Sequence, residues 1–413
     1  MSDVSVTTER YPSVIISGAG PAGAVLAYLL ARAGVKTTLV ERHEDFSREF
    51  RGELLMPSGL EPLHQIGLWQ DFEKVGQVQI DRFRMFINRK PFISPVMNLA
   101  KVPLQTPRWV SQPHLLEMLV EKSSAFPSFT FLRGTRVRNL LQKDNQVIGV
   151  VTDTHGDVRA DLVIGCDGRS SIVRARSGIE AKADALPMDI VWLKLPSQPN
   201  NISNSIHFYV GQGRLVLVAP TYDGGVQVGF IIAKGSFKSL RELGTRGLIE
   251  LIAGYVDTDV ANALLSSKSE DVKPFLLSTV SDCVDSWSLP GVLLLGDAAH
   301  TMSPVGGQGL NIAIRDAVVA ANHLVPALRE HTNSDALLSV CRAIEEERLQ
   351  EVKTIQTNQA KAPKLMLNQS IGVKFLFAIA QKIGRGREVN AASDPSFQQM
   401  LMGVTPVLWR GDA

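Results

Sequence analysis

Val14-Ile15-Ile16-Ser17-Gly18-Ala19-Gly20-Pro21-Ala22-Gly23 is the stretch from which the fold is read. An apolar run, a glycine cluster and a helix-forming segment from Ala24 to Ala33 predict a strand, a tight turn and a helix in succession. In such a turn Gly18 supplies the bend, Gly20 lets the main chain approach a pyrophosphate, and Gly23 lets helix and strand close on one another. The phosphate then meets the unpaired N–H groups and the positive end of the helix dipole. A second strand, Lys36 to Val40, runs into Glu41, about 20 residues past the glycines, where an acid that binds ribose hydroxyls is expected. The unit reads as an ADP-binding βαβ fold, with Pro21 and Ala22 inside its phosphate-facing turn. FAD and NAD are not separated at this point.

Composition bounds what surrounds this unit. A chain of 413 residues with 45% hydrophobic residues holds two or three domains of about 150 residues, or one large composite, around a sizeable core. The net charge of +2 and the lack of long like-charge runs argue against a nucleic-acid partner and favour a small, neutral-to-anionic ligand. Cys166, Cys283 and Cys341 lie too far apart for metal or redox chemistry and read as small buried side chains in a reducing compartment. The N-terminus lacks the basic-then-apolar pattern of a targeting peptide, and no stretch of about 18 apolar residues exists. A cytoplasmic protein with no integral membrane segment is expected.

Further along, Arg42 opens a charged loop reaching Arg51, which is either a solvated charge or a screen for pyrophosphate. Val78 to Asn88 partly alternates and is followed by Pro91, Pro95 and Pro103, so strands and loops of another region begin there. Pro113 suits the first turn of a helix over 114–122, with Gln112 before it as a cap or as a side chain offered to a ligand. Phe129 to Phe131, Arg136 to Leu141, Val147 to Val151 and Val158 to Ala160 predict a small meander before the strand Leu162 to Ile164. That strand leads into Asp167-Gly168-Arg169.

Four strand-like runs, 189–195, 204–210, 214–219 and 226–232, predict an antiparallel sheet. In Ser205-Ile206-His207-Phe208-Tyr209-Val210 the period of two places Ser205, His207 and Tyr209 on one face, expected to meet solvent, with a substrate pocket as the sharper alternative. A helix over 239–261 follows. The buried strand Val292 to Leu295 runs into Gly296-Asp297-Ala298-Ala299-His300-Thr301-Met302-Ser303-Pro304-Val305-Gly306-Gly307-Gln308-Gly309-Leu310-Asn311, and a long helix starts near Gly309. Near the end, Ile371 to Ile383 is apolar with Lys374, Lys382, Arg385 and Arg387 around it. Core or interdomain packing is the expected use, and contact with a membrane surface the alternative.

The glycine cluster, the Asp167-Gly168 segment and the Gly296-Asp297 segment occur in the order and at the approximate separations of class A flavin-dependent monooxygenases, the para-hydroxybenzoate hydroxylase fold, which the chain resembles over nearly its whole length. Cys166 departs mildly from that pattern, where related sequences carry alanine. The resemblance implies an α/β protein: a Rossmann-like (GR2-type) FAD-binding domain, an inserted antiparallel-sheet substrate domain and a helical C-terminal region. The implied division is 1–75, 109–182 and 283–330 for FAD binding, 76–108 and 183–282 for substrate, and 331–413 for the C-terminal helices.

It also implies the site. Asp297 accepts hydrogen bonds from ribityl hydroxyls. Gly306, Gly307 and Gly309 leave room for a flat ring, and the helix opening at Gln308, Leu310 and Asn311 directs its N–H groups at the ring edge, where reduced flavin is negative. Arg42, Arg51 and Gln112 are implied FAD contacts alongside Gly18, Gly20, Pro21, Ala22, Gly23, Glu41, Asp167 and Gly296. Pro304 lies beside the ring where oxygen adds, and His300 orients the turn. With no second dinucleotide fingerprint, NADH or NADPH binds transiently; it reduces the flavin, O2 adds at C4a, and the hydroperoxide gives one oxygen to an electron-rich organic substrate. His207, Tyr209 and Tyr222 are candidate bases by their place in the substrate sheet. A reductase or a halogenase on the same frame, or a non-catalytic flavin-binding protein, are the alternatives, and the expected assembly is a monomer or homodimer.

Overall fold

The computed structural model describes residues 12–47, 53–96, 104, 106–184, 186–199, 201–330, 333–361, 367–368, 370–384, 386–390 and 395–411. Its frame is a six-stranded sheet in the order Ser288–Leu289, Val292–Leu294, Leu162–Gly165, Ser13–Ser17, Lys36–Glu41, Phe129–Arg133. All neighbours are parallel except the short first strand. Ser13–Ser17 and Leu162–Gly165 are buried along their whole length, which is why they read as unbroken apolar runs: helices cover both faces of a parallel sheet. The helix Pro21–Arg32 is buried from Ala22 to Ala31, as a helix apolar on every side must be. It packs against the helices Gln112–Ser123 and Gln308–Arg329.

The predicted meander loses its first strand. Phe129–Arg133 joins the frame beside Lys36–Glu41, because Phe129 and Phe131 pack on the main core. Only Val137–Lys143, Gln146–Thr152 and Gly156–Arg159 form the antiparallel meander. Its first hairpin turns at Asp144 (φ 51°) and Asn145 (φ 61°), two left-handed positions that Asp and Asn tolerate.

The second sheet has eight strands in the order Phe275–Ser278, Met188–Leu195, Val226–Ala233, Arg214–Pro220, Ser205–Gly211, Arg82–Ile87, Lys90–Val96, Arg387–Asn390. It is antiparallel except where Ser205–Gly211 meets Arg82–Ile87 and where Arg387–Asn390 meets Lys90–Val96. One face, including Val191, Leu193, Val216, Val218, Phe230 and Ile232, is covered by helices. The single helix expected over 239–261 is three, Phe237–Arg241, Gly244–Ala253 and Thr258–Ser266. Gly244 breaks the first junction at φ +66°, and Asp257 restarts the third helix by accepting from Val260 N–H.

The opposite face turns toward the frame, with Ile206 and Phe83 clustering with Leu54 and Trp109, and Trp192 with Val305. At the C-terminal end, Ser334–Gln359 lies along Gln308–Arg329. The helix Ile371–Gly384 leans on Lys90–Val96 and leaves Ile371 86% and Ile383 76% exposed. The packing expected of that segment therefore holds for one side only. The side chain of Lys374 and the whole of Arg385 lie outside the described residues. Among the described residues no helix is long and apolar enough to cross a membrane.

Candidate functional site

The three motifs leave the carboxyl ends of three neighbouring parallel strands, Ser13–Ser17, Leu162–Gly165 and Val292–Leu294. In an open α/β sheet that edge is where ligands bind. A Cβ on Gly18 (φ +99°) would lie 2.6 Å from the Cys166 carbonyl oxygen, and one on Gly23 would lie 2.0 Å from the Gly18 oxygen. Both glycines are therefore explained by the protein's own close approach. Gly20 is different: a Cβ there would meet nothing nearer than the Cys166 oxygen at 4.0 Å, so the protein leaves open space above the start of the helix. Uncovered main chain at this position is what a pyrophosphate approaches in such a turn. Cys166 is buried behind the turn, which pushes its thiol well up.

Glu41 is 3% exposed, and its carboxylate accepts from Ala19 N–H at 2.9 Å and from His43 N–H at 3.1 Å. It braces the glycine turn from the end of the second strand. Arg42 is exposed beside it, its Nε 3.0 Å from His43 Nε2. Gln112 is buried at the first position of its helix, and its amide has no protein hydrogen bond among the described residues, so it is free to meet a ligand. Arg51 lies outside the described residues.

Asp167 turns inward. Its oxygens accept from Ser171 Oγ at 2.5 Å, Ile172 N–H at 2.7 Å and Val173 N–H at 3.2 Å, so both serve the helix that follows it. Burial raises its carboxyl and those bonds only partly offset this. Arg174 ties the second motif to the third, donating to the Ala298 carbonyl at 3.0 Å and the Arg169 carbonyl at 2.6 Å. Arg169 lies 3.5 Å from Asp297, and each side chain is 33% exposed.

Gly296 (φ +58°) sits against helix Pro21–Arg32, where a Cβ would stand 3.2 Å from that of Ala22. Pro304 precedes a short turn over Val305–Gly307, with Gly306 and Gly307 at φ 76° and 62°. A Cβ on Gly306 would touch Met400 at 3.6 Å and Gln308 at 3.9 Å, ordinary contact distances with flexible side chains. Gln308 and Asn311 hold the turn in place. Gln308 Nε2 donates to the Gly306 and Met400 carbonyls; Asn311 accepts from Met56 N–H at 2.7 Å and donates to the Leu54 and Gly307 carbonyls. Leu310 is buried, and a Cβ on Gly309 would meet nothing nearer than Met302 at 4.0 Å.

A fully buried charge cluster underlies this turn. His300 Nε2 lies 2.8 Å from Asp316, and Arg348 Nε donates to Asp316 at 2.8 Å. Arg348 also bonds Glu351, which accepts from Arg315 at 2.7 Å and from Val404 N–H at 2.9 Å. Burial opposes ionisation of Asp316 and Glu351, yet the neighbouring cations hold both carboxyls below their ordinary range. His300 therefore positions the turn and faces Trp287 at 4.8 Å.

The solvent expectation for the polar face of Ser205–Val210 is overturned. Ser205, His207 and Tyr209 are 5%, 0% and 1% exposed and form a chain: Ser205 Oγ to His207 Nε2 at 2.9 Å, His207 Nδ1 to Tyr209 OH at 2.9 Å, Tyr209 OH to Asp257 at 2.7 Å. The face is sealed under the helices, away from the frame, which removes His207 and Tyr209 from contact with a substrate held between sheet and flavin turn. Burial lowers His207 to about 4 and keeps it neutral.

Tyr222 does line a cavity between sheet and frame. A half-open cleft of about 220 Å³ is lined by Glu53, Trp109, Val110, Ser111, Pro113, Lys194, Thr221 and Tyr222. Leu54, next to Glu53, packs on Gly307, so this chamber adjoins the Val305–Gly307 turn. Burial pushes the Glu53 carboxyl up to about 8, against the pull of Lys194 and the Trp109 N–H. Reading by motif missed Glu53, Trp109 and Lys194. The available signal was Lys194, a charge that interrupts the apolar run from Ile190 to Leu195.

Comparison with known proteins places these features. Residues 11–358 match the family model described as FAD binding domain. The chain is 33% identical to 6-methylpretetramide 4-monooxygenase of Streptomyces rimosus, covering 85% of this chain and 84% of that one. It is 28% identical to kynurenine 3-monooxygenase of Stenotrophomonas maltophilia, covering 83% and 77%. In fold it is similar to PqsL of Pseudomonas aeruginosa, solved with 2-aminobenzoylacetate: TM-score 0.77 at 22% identity, over 90% of this chain and 99% of that one.

Proposed function

The chain belongs to the FAD-binding-domain family of flavin-dependent monooxygenases and is an FAD-dependent oxidoreductase, and from that premise we propose that it uses NADH or NADPH and O2 to insert one oxygen atom into a small aromatic or secondary-metabolite substrate. The observation that carries the reading is the meeting of three motifs at one sheet edge, with the main chain at Gly20 left uncovered at the start of the helix. A bound FAD supplies two-electron transfer and activation of O2. The protein supplies position, charge and exclusion of water.

In this reading Gly18, Gly20, Pro21, Ala22 and Gly23 hold the pyrophosphate, Glu41 and Arg42 the adenosine end, and Gln112 and Arg51 the middle of the cofactor. Asp297 exchanges its partner Arg169 for ribityl hydroxyls. Pro304, Gly306, Gly307 and Gly309 form the ring's floor, and the 22-residue helix Gln308–Arg329 directs its first N–H groups at the ring. The side chains of Asp167, Gln308 and Asn311 hold the turns, while the backbone of Gly296 and the main-chain N–H groups of Gln308, Leu310 and Asn311 face the cofactor. The chamber beside Tyr222 takes the substrate, the nicotinamide binds transiently, and the division into FAD-binding, substrate and C-terminal segments is the one set out above. A cytoplasmic monomer or homodimer completes the reading.

The test is purification with FAD, anaerobic mixing with NADH and NADPH across a phenol and polyketide panel, then O2 uptake with product mass. Flavin bleaching and incorporation of one atom from labelled O2 are expected. Protein that takes up no FAD, or that reduces substrate without O2, overturns the proposal.

A further inference from the structure

The cavity between sheet and frame has a charge pattern that its place beside the flavin turn does not require. Glu53 enters from the frame side, and burial keeps it neutral up to a pH of about 8. Facing it from Met188–Leu195 is Lys194, paired with Asp223; Asp223 also accepts from Thr221 Oγ1 at 2.6 Å. An ammonium has three N–H donors, so two remain after that pair. The Trp109 N–H is near enough to draw the Glu53 carboxyl down somewhat, yet it is buried without a hydrogen bond of full geometry. Tyr222, 44% exposed, forms the outer edge of the chamber, backed by Gly76 and by His114 at 5.2 Å. At neutral pH the wall therefore offers the carboxylic O–H of Glu53 and the spare N–H bonds of Lys194, while Asp223 balances the lysine charge.

We propose that the chamber binds an ionised hydroxyl, a phenolate or enolate oxygen, between the Glu53 carboxyl acting as hydrogen-bond donor and the Lys194 ammonium, which makes both residues determinants of substrate specificity. The inference rests on reading this cavity as the substrate chamber. An oxyanion at that point raises Glu53 further, because like charges resist sharing a site; ligand and proton therefore bind together. Above a pH of about 8 the free site has lost its proton, and the ligand must bring one back at a cost in affinity.

4-Nitrophenol tests this, since its colour reports its ionisation. Binding to the FAD-loaded protein is followed by equilibrium dialysis and by difference spectra between pH 7 and pH 9. Bound probe is expected as phenolate, with affinity per phenolate falling about tenfold over that range. Glu53→Gln, a shape-matched permanent donor, is expected to bind at least as well at pH 7 and to lose the decline. Lys194→Met is expected to weaken binding at least tenfold at every pH. Probe bound as neutral phenol, no binding, or the same pH decline in Glu53→Gln overturns the proposal. FAD retention and bleaching by NADH or NADPH are read on the same samples; their loss in the wild type would sink the flavin reading instead.

Discussion

Glu351 and Glu53 are two glutamates withdrawn from bulk water, and they settle in opposite protonation states. Glu351 lies under the flavin turn between Arg348 and Arg315, with the Val404 N–H on the same carboxylate. Glu53, in the chamber, faces a single lysine already held by Asp223. Burial is unfavourable to charge in both places. What differs is the number of partners, and that decides whether a carboxylate remains ionised or takes a proton. The carboxylates under the Val305–Gly307 turn each have a cation of their own; the carboxyl in the chamber is left short of partners.

Breaking the paired side should have the largest effect. Arg348→Met strands Asp316 and Glu351 without a shared cation, and a loss of about 3–5 kcal/mol in urea unfolding is expected. A loss below about 1 kcal/mol would mean that the cluster rearranges, and the contrast with Glu53 would fail. Next is Tyr209→Phe, which leaves Asp257 and His207 short of one bond at roughly 1–3 kcal/mol, with kcat and KM unchanged because the chain is sealed from the chamber. A fall in kcat at preserved stability would bring His207 and Tyr209 back as catalytic groups.

The unpaired side is sharpened by pH. Because folding raises Glu53 from 4.5 to about 8, the native state holds a proton that the unfolded chain gives up across that window. Stability linked to Glu53 is full below a pH of about 4.5, is lost as pH rises through 8, and is level beyond. Measured against Glu53→Gln, wild-type stability should fall by about 1 kcal/mol per pH unit between pH 5 and pH 8; parallel curves would place Glu53 in an ordinary ionised state. The smallest effect is expected at Arg169→Gln, under about 1 kcal/mol, because its pairing with Asp297 is partly exposed. FAD retention should survive that change and be lost in Asp297→Ala. The reverse result would remove Asp297 from the cofactor site.

The cofactor frame was legible because parallel strands buried on both faces leave unbroken apolar runs, and because glycines mark points of close approach. Gly18 and Gly23 meet the Cys166 and Gly18 carbonyls, as such a turn demands. The alternation in Ser205–Val210 was legible too, but not which face would be covered, since three helices from distant sequence close over the polar one. The charge cluster was invisible for a similar reason: Arg315, Asp316, Arg348 and Glu351 resemble solvated helix charges until two helices and a C-terminal segment enclose them. Glu53 owes its protonation to Trp109, Lys194 and Asp223, which lie far along the chain, so no local pattern announces it.

The Val404 N–H on Glu351 and the bond from Arg315 to the Thr405 carbonyl bear on synthesis. A cofactor domain whose strand Ser13–Ser17 leaves the ribosome early completes the hydrogen bonds of its innermost charges only after residue 405 has followed. A nascent chain arrested before that point should remain open to protease, and one carried past it should not. The last hydrogen bonds of the buried cluster are thus made by some of the last residues to be synthesised.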